Sequence, residues 1–246
     1  MSFSIADAVT RGIDRTLERN SAVLAAVFFV LATLSAFAVP AIVAPFVDEA
    51  LAGPLVLDIS PALAGLLYVL AVVAMSATSV VALRVYVTEE REAIPEAYYR
   101  EGIGFAVANL VVGGFVFSIL VTIGFVLFIL PGLFLLVALY YWTVFVAVED
   151  DNFVSAMKRS WALTSGARWP LFGLGVVVVL LVTAVTMVVT IPGELLGGGV
   201  AIVLSGLSAS IVTVFTLATT GAAFVQLQDR EHDDDGPDPT PQAASA

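Results

Sequence analysis

The sequence predicts an all-α integral membrane protein: six transmembrane helices with amphipathic helices on the cytoplasmic side. Two observations carry that prediction. Hydrophobic residues make up 60% of the 246-residue chain and charged residues only 13%, against about a quarter charged in an ordinary soluble domain. No soluble globule of this size has the interior to hide so much apolar surface. The charges are also segregated, leaving charge-free tracts at 20–47, 59–83, 102–148, 169–193 and 195–228.

A helix crossing an apolar core of about 30 Å needs about 20 residues. The tracts at 20–47, 59–83 and 169–193 hold one span each. The tract at 102–148 is too long for one crossing, and Leu130-Pro131-Gly132 reads as a helix stop and turn that divides it in two. The last tract holds one span after the flexible Gly197-Gly198-Gly199. The expected spans lie near 21–47, 59–83, 103–129, 132–148, 169–191 and 200–225. Continuous apolar runs, not ten-residue alternating segments, argue against a β-barrel.

Six spans place all ten basic residues on one side: Arg11, Arg15 and Arg19, then Arg84, Arg91 and Arg100, then Lys158, Arg159 and Arg168, then Arg230. The other side keeps only Asp48, Glu49, Asp58 and Glu194. Basic loops stay in the cytoplasm, so both termini are expected there and the protein in the cell membrane. Ala36-Phe37-Ala38 fits a signal-peptidase site, but the apolar run continues to Val47 behind a long amphipathic helix. Span 1 is expected to be retained.

Residues 1–20 form the first amphipathic segment, with Ile5, Val9, Ile13 and Leu17 on one face, the pattern of an interfacial helix. Asp7–Arg11, Glu96–Arg100 and Ser155–Arg159 share an alanine followed by a basic residue, and each precedes a two-span hairpin. An irregular three-fold repeat is the economical description. Residues 229–246, rich in Asp, Pro, Ala and Ser, are expected to be a disordered acidic tail. With 21 acids, ten bases and a net charge of −11, the surface suits a salt-rich cytoplasm such as that of a halophilic archaeon. The absence of a basic patch argues against nucleic acid.

The spans contain no ionisable side chain, the usual trace of catalysis or ion coupling at depth. Cysteine is absent and His232, the single histidine, lies in the tail. No nucleophile, phosphate or metal motif occurs, so no enzyme activity, catalytic residue, cofactor or metal is expected. Glu149-Asp150-Asp151 reads as an acidic helix start, with Asp150, Asp151 or Asn152 as the cap. Asn109 is expected to pack helices through hydrogen bonds. Ser205, Thr213, Thr216 and Thr220 form a small polar face on span 6 that serves packing or, as the sharper alternative, lines a pathway.

At 131–175 the chain carries Pro131-Gly132, a span, Glu149-Asp150, and then Ala156, Ser160, Trp161, Leu163, Thr164 and Gly166 before Arg168-Trp169. This resembles the membrane domain attached to some glycerophosphoryl diester phosphodiesterases and related six-span families. The resemblance implies a membrane module without hydrolytic machinery, which in that family belongs to a separate soluble domain. It also implies structural work for the motif: Pro131-Gly132 makes an outer turn, Ala156, Trp161 and Leu163 seat an interfacial helix, and Gly166 ends it. The expectation is a non-catalytic scaffold or partner subunit for a membrane or lipid-related protein, in contact with membrane lipids. The alternative is a transporter or lipid-translocating protein with a neutral pathway.

Overall fold

The computed structural model describes residues 3–46, 59–88, 91 and 93–234. These residues form helices, and no strand occurs among them. In chain order the helices are α1 (Ile5–Thr16), α2 (Arg19–Val43, followed by a 3-10 turn at Ala44–Phe46), α3 (Pro61–Val87) and α4 (Glu96–Arg100). Then come α5 (Ile103–Leu127), α6 (Ile129–Leu139), α7 (Trp142–Val148), α8 (Phe153–Leu163), α9 (Arg168–Leu196) and α10 (Gly198–Asp234). Six stretches are long and apolar enough to cross a membrane: Arg19–Phe46, Pro61–Val87, Ile103–Leu127, Ile129–Val148, Arg168–Leu196 and Gly198–His232 (spans 1 to 6).

Local chemistry sets several helix starts. Ser4 Oγ accepts from Asp7 N (3.2 Å), Ser60 Oγ from Leu63 N (3.3 Å), and Asn152 Oδ1 from Ser155 N (3.0 Å). Each satisfies an N–H that the helix itself leaves free. Of the three candidates before α8, it is Asn152 that caps. Spans 1 and 2, 3 and 4, and 5 and 6 pack as hairpins, and α10 also packs on α1, α2 and α3. Phe28 and Phe224 are among the largest fully buried side chains. Large apolar residues such as Phe115, Val126 and Val188 lie on the outside.

The structure corrects several boundaries. The turn between spans 3 and 4 is made by Phe128, extended at φ −161° and ψ 152°, and not by Leu130-Pro131-Gly132. Pro131 and Gly132 belong to the first turn of α6, where a missing N–H costs nothing. Gly132 allows a close approach: a Cβ there would sit 2.5 Å from Phe125 Cγ. Span 5 extends past 191 to Leu196, carrying Pro192 and Glu194 inside α9, and only Gly197 separates it from α10. Residues 229–234, expected to begin a disordered tail, continue α10. Residues 235–246 lie outside the described residues.

The amphipathic segment is shorter than 1–20, and only part of the expected face is seated: Ile5 and Val9 pack partly buried against the core. Ala8, Gly12 and Arg15 are buried, while Ile13 and Leu17 are exposed. Small residues on that face bring α1 against Thr219 of α10, and Ser4 N donates to Gln226 Oε1 at 3.1 Å. The second repeat segment is only the five-residue α4.

At the arginine-bearing end, Arg84 joins three parts of the chain. Its Nε donates to Ala147 O (2.6 Å) and its Nη1 to Tyr98 O (3.0 Å) and Glu101 O (2.7 Å). Its Nη2 pairs with Asp150 Oδ1 at 2.9 Å. A planar donor fork suits several fixed acceptors at once. Asp150 has φ +52° and Gly102 φ +64°, and a Cβ on Gly102 would lie 2.7 Å from Asp150 Oδ1.

Candidate functional site

Span 4 is not one helix. It breaks at Tyr140-Tyr141, between α6 and α7, where neither proline nor glycine forces a break. A break frees backbone groups that must find partners when buried. Two side chains of α8 and its C-cap supply them. Ser160 Oγ accepts from Tyr141 N at 3.1 Å and donates to Ala138 O at 3.0 Å. Thr164 Oγ1 donates to Ala138 O at 3.2 Å. The Ser160–Thr164 pair therefore closes the backbone of a helix some twenty residues earlier, and both side chains are fully buried.

The break turns two phenols toward α9 and α10. Tyr140 Oη lies 3.0 Å from Thr220 Oγ1, and Thr220 Oγ1 donates to Thr216 O at 2.7 Å. With the threonine proton so committed, Tyr140 is the donor of the pair. The Tyr141 ring packs on Phe224, with centroids 6.1 Å apart. A cavity of about 260 Å³ opens beside these groups, lined by Tyr140, Tyr141, Thr216, Thr219 and Thr220 on one side and by Leu171, Leu174, Gly175, Val178 and Val182 on the other. Apolar walls with a few convergent polar groups are the usual character of a ligand pocket. Among the described residues the lining carries no charge, and its hydroxyls can exchange hydrogen bonds with a neutral polar group.

The structure divides the expected polar face. Thr216 and Thr220 line the cavity; Thr213 is half-buried outside it; Ser205 is exposed and donates to Ile202 O at 2.8 Å. Asn109 is elsewhere, on α5. Its Nδ2 donates to Phe105 O and its Oδ1 accepts from Phe153 N, both at 3.0 Å, so it ties the start of α8 to span 3. The cavity lies between spans 4, 5 and 6.

Around α8 the motif residues separate by task. Ala156 and Leu163 are buried, and Trp161 stacks edge-on against Phe134 at 5.3 Å. Gly166, at φ +78°, lies beyond the Thr164 C-cap and shapes the turn into α9 rather than ending α8 itself. Glu149 and Asp151 both pair with Arg159, Asp151 at 2.9 Å. Partial burial pulls the Arg159 guanidinium down, but the hydrogen bonds it donates to the two carboxylates, with their charges, outweigh this and hold it above its ordinary value. Among the described residues, no three His, Asp or Glu side chains converge on a metal-sized site.

The residues that complete the site and that sequence reasoning passed over are Tyr140, Tyr141 and Thr219. The signal for the first two was a pair of phenols inside an apolar tract, where each hydroxyl needs a partner. A family model matches residues 3–227, so it covers the break, α8 and the cavity together. The chain belongs to the family described as domain of unknown function DUF7847. No curated protein and no solved structure matches it. Family membership thus supplies no activity, and function rests on the geometry.

Proposed function

We propose that this chain is a non-catalytic, multi-pass membrane module, with both termini cytoplasmic, that takes up a lipid-like molecule in the cavity beside the span 4 break. The observation carrying this reading is the cavity itself: apolar walls from α9 beside Tyr140, Thr216 and Thr220, at a helix break that α8 holds open. Broken spans are tolerated where they are buried or line a cavity. The basic residues gathered at one end support the orientation. The resemblance of 131–175 to a membrane domain joined to phosphodiesterases supports a lipid-related setting, and the acidic, lysine-poor composition supports a halophilic one.

The test is to fill the cavity. A Cβ on Gly175 would meet nothing within 4 Å, so Gly175→Leu adds bulk to the cavity without a clash at its first atom. It also removes a helix-interior glycine, which costs about 1 kcal/mol relative to a good helix former. The variant should keep or raise its melting temperature while losing co-purifying lipid. Unchanged lipid retention in a folded Gly175→Leu protein would refute the reading.

A second reading is that of a scaffold or partner subunit. The outward position of Ser118 and Thr122 on α5, beside Gly114 with open space over it, favours it, since small residues let a second helix approach closely. Ser118→Leu would abolish co-purification of such a partner.

A further inference from the structure

The cavity has a neighbour along α6. Val137 also borders a larger hollow of about 690 Å³, lined by Leu130, Leu133, Phe134, Trp169 and Phe172 together with Gly166 and Arg168. Both hollows lie along the α6–α9 seam and share Val137 in their linings.

One end of that seam is cationic. The Arg168 guanidinium carbon lies 4.7 Å from the Phe134 ring centroid and 4.6 Å from that of Trp161. Its Nη2 donates to Trp161 O at 3.3 Å, while its Nε is buried without a hydrogen-bond partner among the described residues. A second guanidinium reaches the Gly166 turn that borders the hollow: Arg230 Nη2 is 3.1 Å from where a Cβ on Gly166 would stand. Arg15, Arg84, Arg91, Arg100 and Arg159 each have a carboxylate partner. Among the described residues, no carboxylate pairs with Arg168 or Arg230. A guanidinium held against an apolar wall without a counter-charge is expensive, and an anion there removes the cost.

We infer that the occupant of the seam is a phosphate-bearing lipid, with its phosphate at Arg168 and Arg230 and its chain along the apolar wall between α6 and α9. This rests on the cavity reading above and names its ligand class. Guanidinium forks match phosphate geometry. The apolar lining beside the arginines selects a lipid over free phosphate, which would leave that lining empty.

The experiment uses the full-length protein, delipidated in detergent and offered an equimolar mixture of phosphatidylglycerol and diacylglycerol with identical chains. Native mass spectrometry reads the bound species. Phosphatidylglycerol should be retained about tenfold over diacylglycerol, the scale of one charge-assisted contact. Millimolar inorganic phosphate should not displace it. In the double variant Arg168→Gln/Arg230→Gln the preference should vanish, and Arg168→Lys/Arg230→Lys should retain part of it. Equal retention of the two lipids by the wild type overturns the headgroup inference while leaving the cavity reading in place. So does displacement by inorganic phosphate. Failure of Gly175→Leu to lower either lipid overturns the cavity reading instead. Should the double variant not fold, the wild-type ratio alone decides.

Discussion

Arg84 is counted in the sequence as one more basic residue near a membrane boundary. In the structure its side chain is 9% exposed and its donors meet three backbone carbonyls and Asp150. Removing it leaves those acceptors unsatisfied in a buried corner, and each such group costs roughly 1–3 kcal/mol. Arg84→Gln should therefore destabilise the folded protein by about 3 kcal/mol in a denaturant titration of the detergent-solubilised form. Arg84→Lys should recover only a minor part, because an ammonium on a flexible stem cannot address four acceptors in a fixed plane. A loss below about 0.5 kcal/mol for Arg84→Gln would mean that water reaches this corner and replaces the guanidinium. The same residue marks what a linear reading misses. Charge and position along the chain establish that Arg84 lies at a helix end. Nothing in them says that Ala147, 63 positions away, has a carbonyl aimed at it.

At the scale of elements, the spans were legible because a bilayer-length helix must be free of charge over its whole length, and 20–47 or 59–83 satisfy that in plain view. The break in span 4 was not, since Leu139-Tyr140-Tyr141-Trp142 contains no helix breaker. Its stability comes from Ser160 and Thr164, which the resemblance had marked only as structural. The turn at Phe128 was misplaced by three residues because Pro131 is a stop signal in a helix interior but is tolerated in a first turn. In α1 the hydrophobic periodicity pointed to Ile5, Val9, Ile13 and Leu17. Ile5 and Val9 do pack partly against the core, but Ile13 and Leu17 are exposed, and the closest seat is the small face of Ala8 and Gly12, as packing without a hydrophobic drive favours. Gly12 is its pivot: a Cβ there would overlap Thr219 Oγ1 and come within 3.0 Å of Thr219 Cα. Gly12→Val should lift α1 from α10, and hydrogen exchange at the amides of Ile5–Thr16 should quicken at least tenfold while that of α3 stays unchanged. Wild-type exchange in the variant would show that α1 is held by its ends, through Ser4 on Gln226 and through Arg15 on Glu18, which also pairs with Arg91, and not by this contact.

For the whole molecule, the physical question is which solvent surrounds the bundle. Phe115, Phe128, Leu130, Val188 and Leu195 are all at least 70% exposed, an arrangement that water would penalise by about 25 cal/mol for each Å² and hydrocarbon would not. The charges sort by end in the same sense. The arginine-bearing ends of α2, α3, α9 and α10 lie together through Tyr86 with Ser21 (2.8 Å between hydroxyl oxygens), Gly221 against Tyr86, and Arg230 against Gly166. Among the described residues, Glu194 is the one charge near the opposite helix ends. These facts make a sharp prediction for the proposed insertion, and the cysteine-free chain allows it to be read with single labels. Thr10→Cys and Ser165→Cys, both exposed in the structure, should react with a membrane-impermeant maleimide only after the cells are opened. Glu194→Cys should react in intact cells. The two inner positions are separated by four spans, so an odd number of crossings between them would place them on opposite faces. Labelling of Ser165→Cys but not Thr10→Cys in intact cells would mean that one of spans 1 to 4 does not cross, and the broken span 4 would be the first to examine.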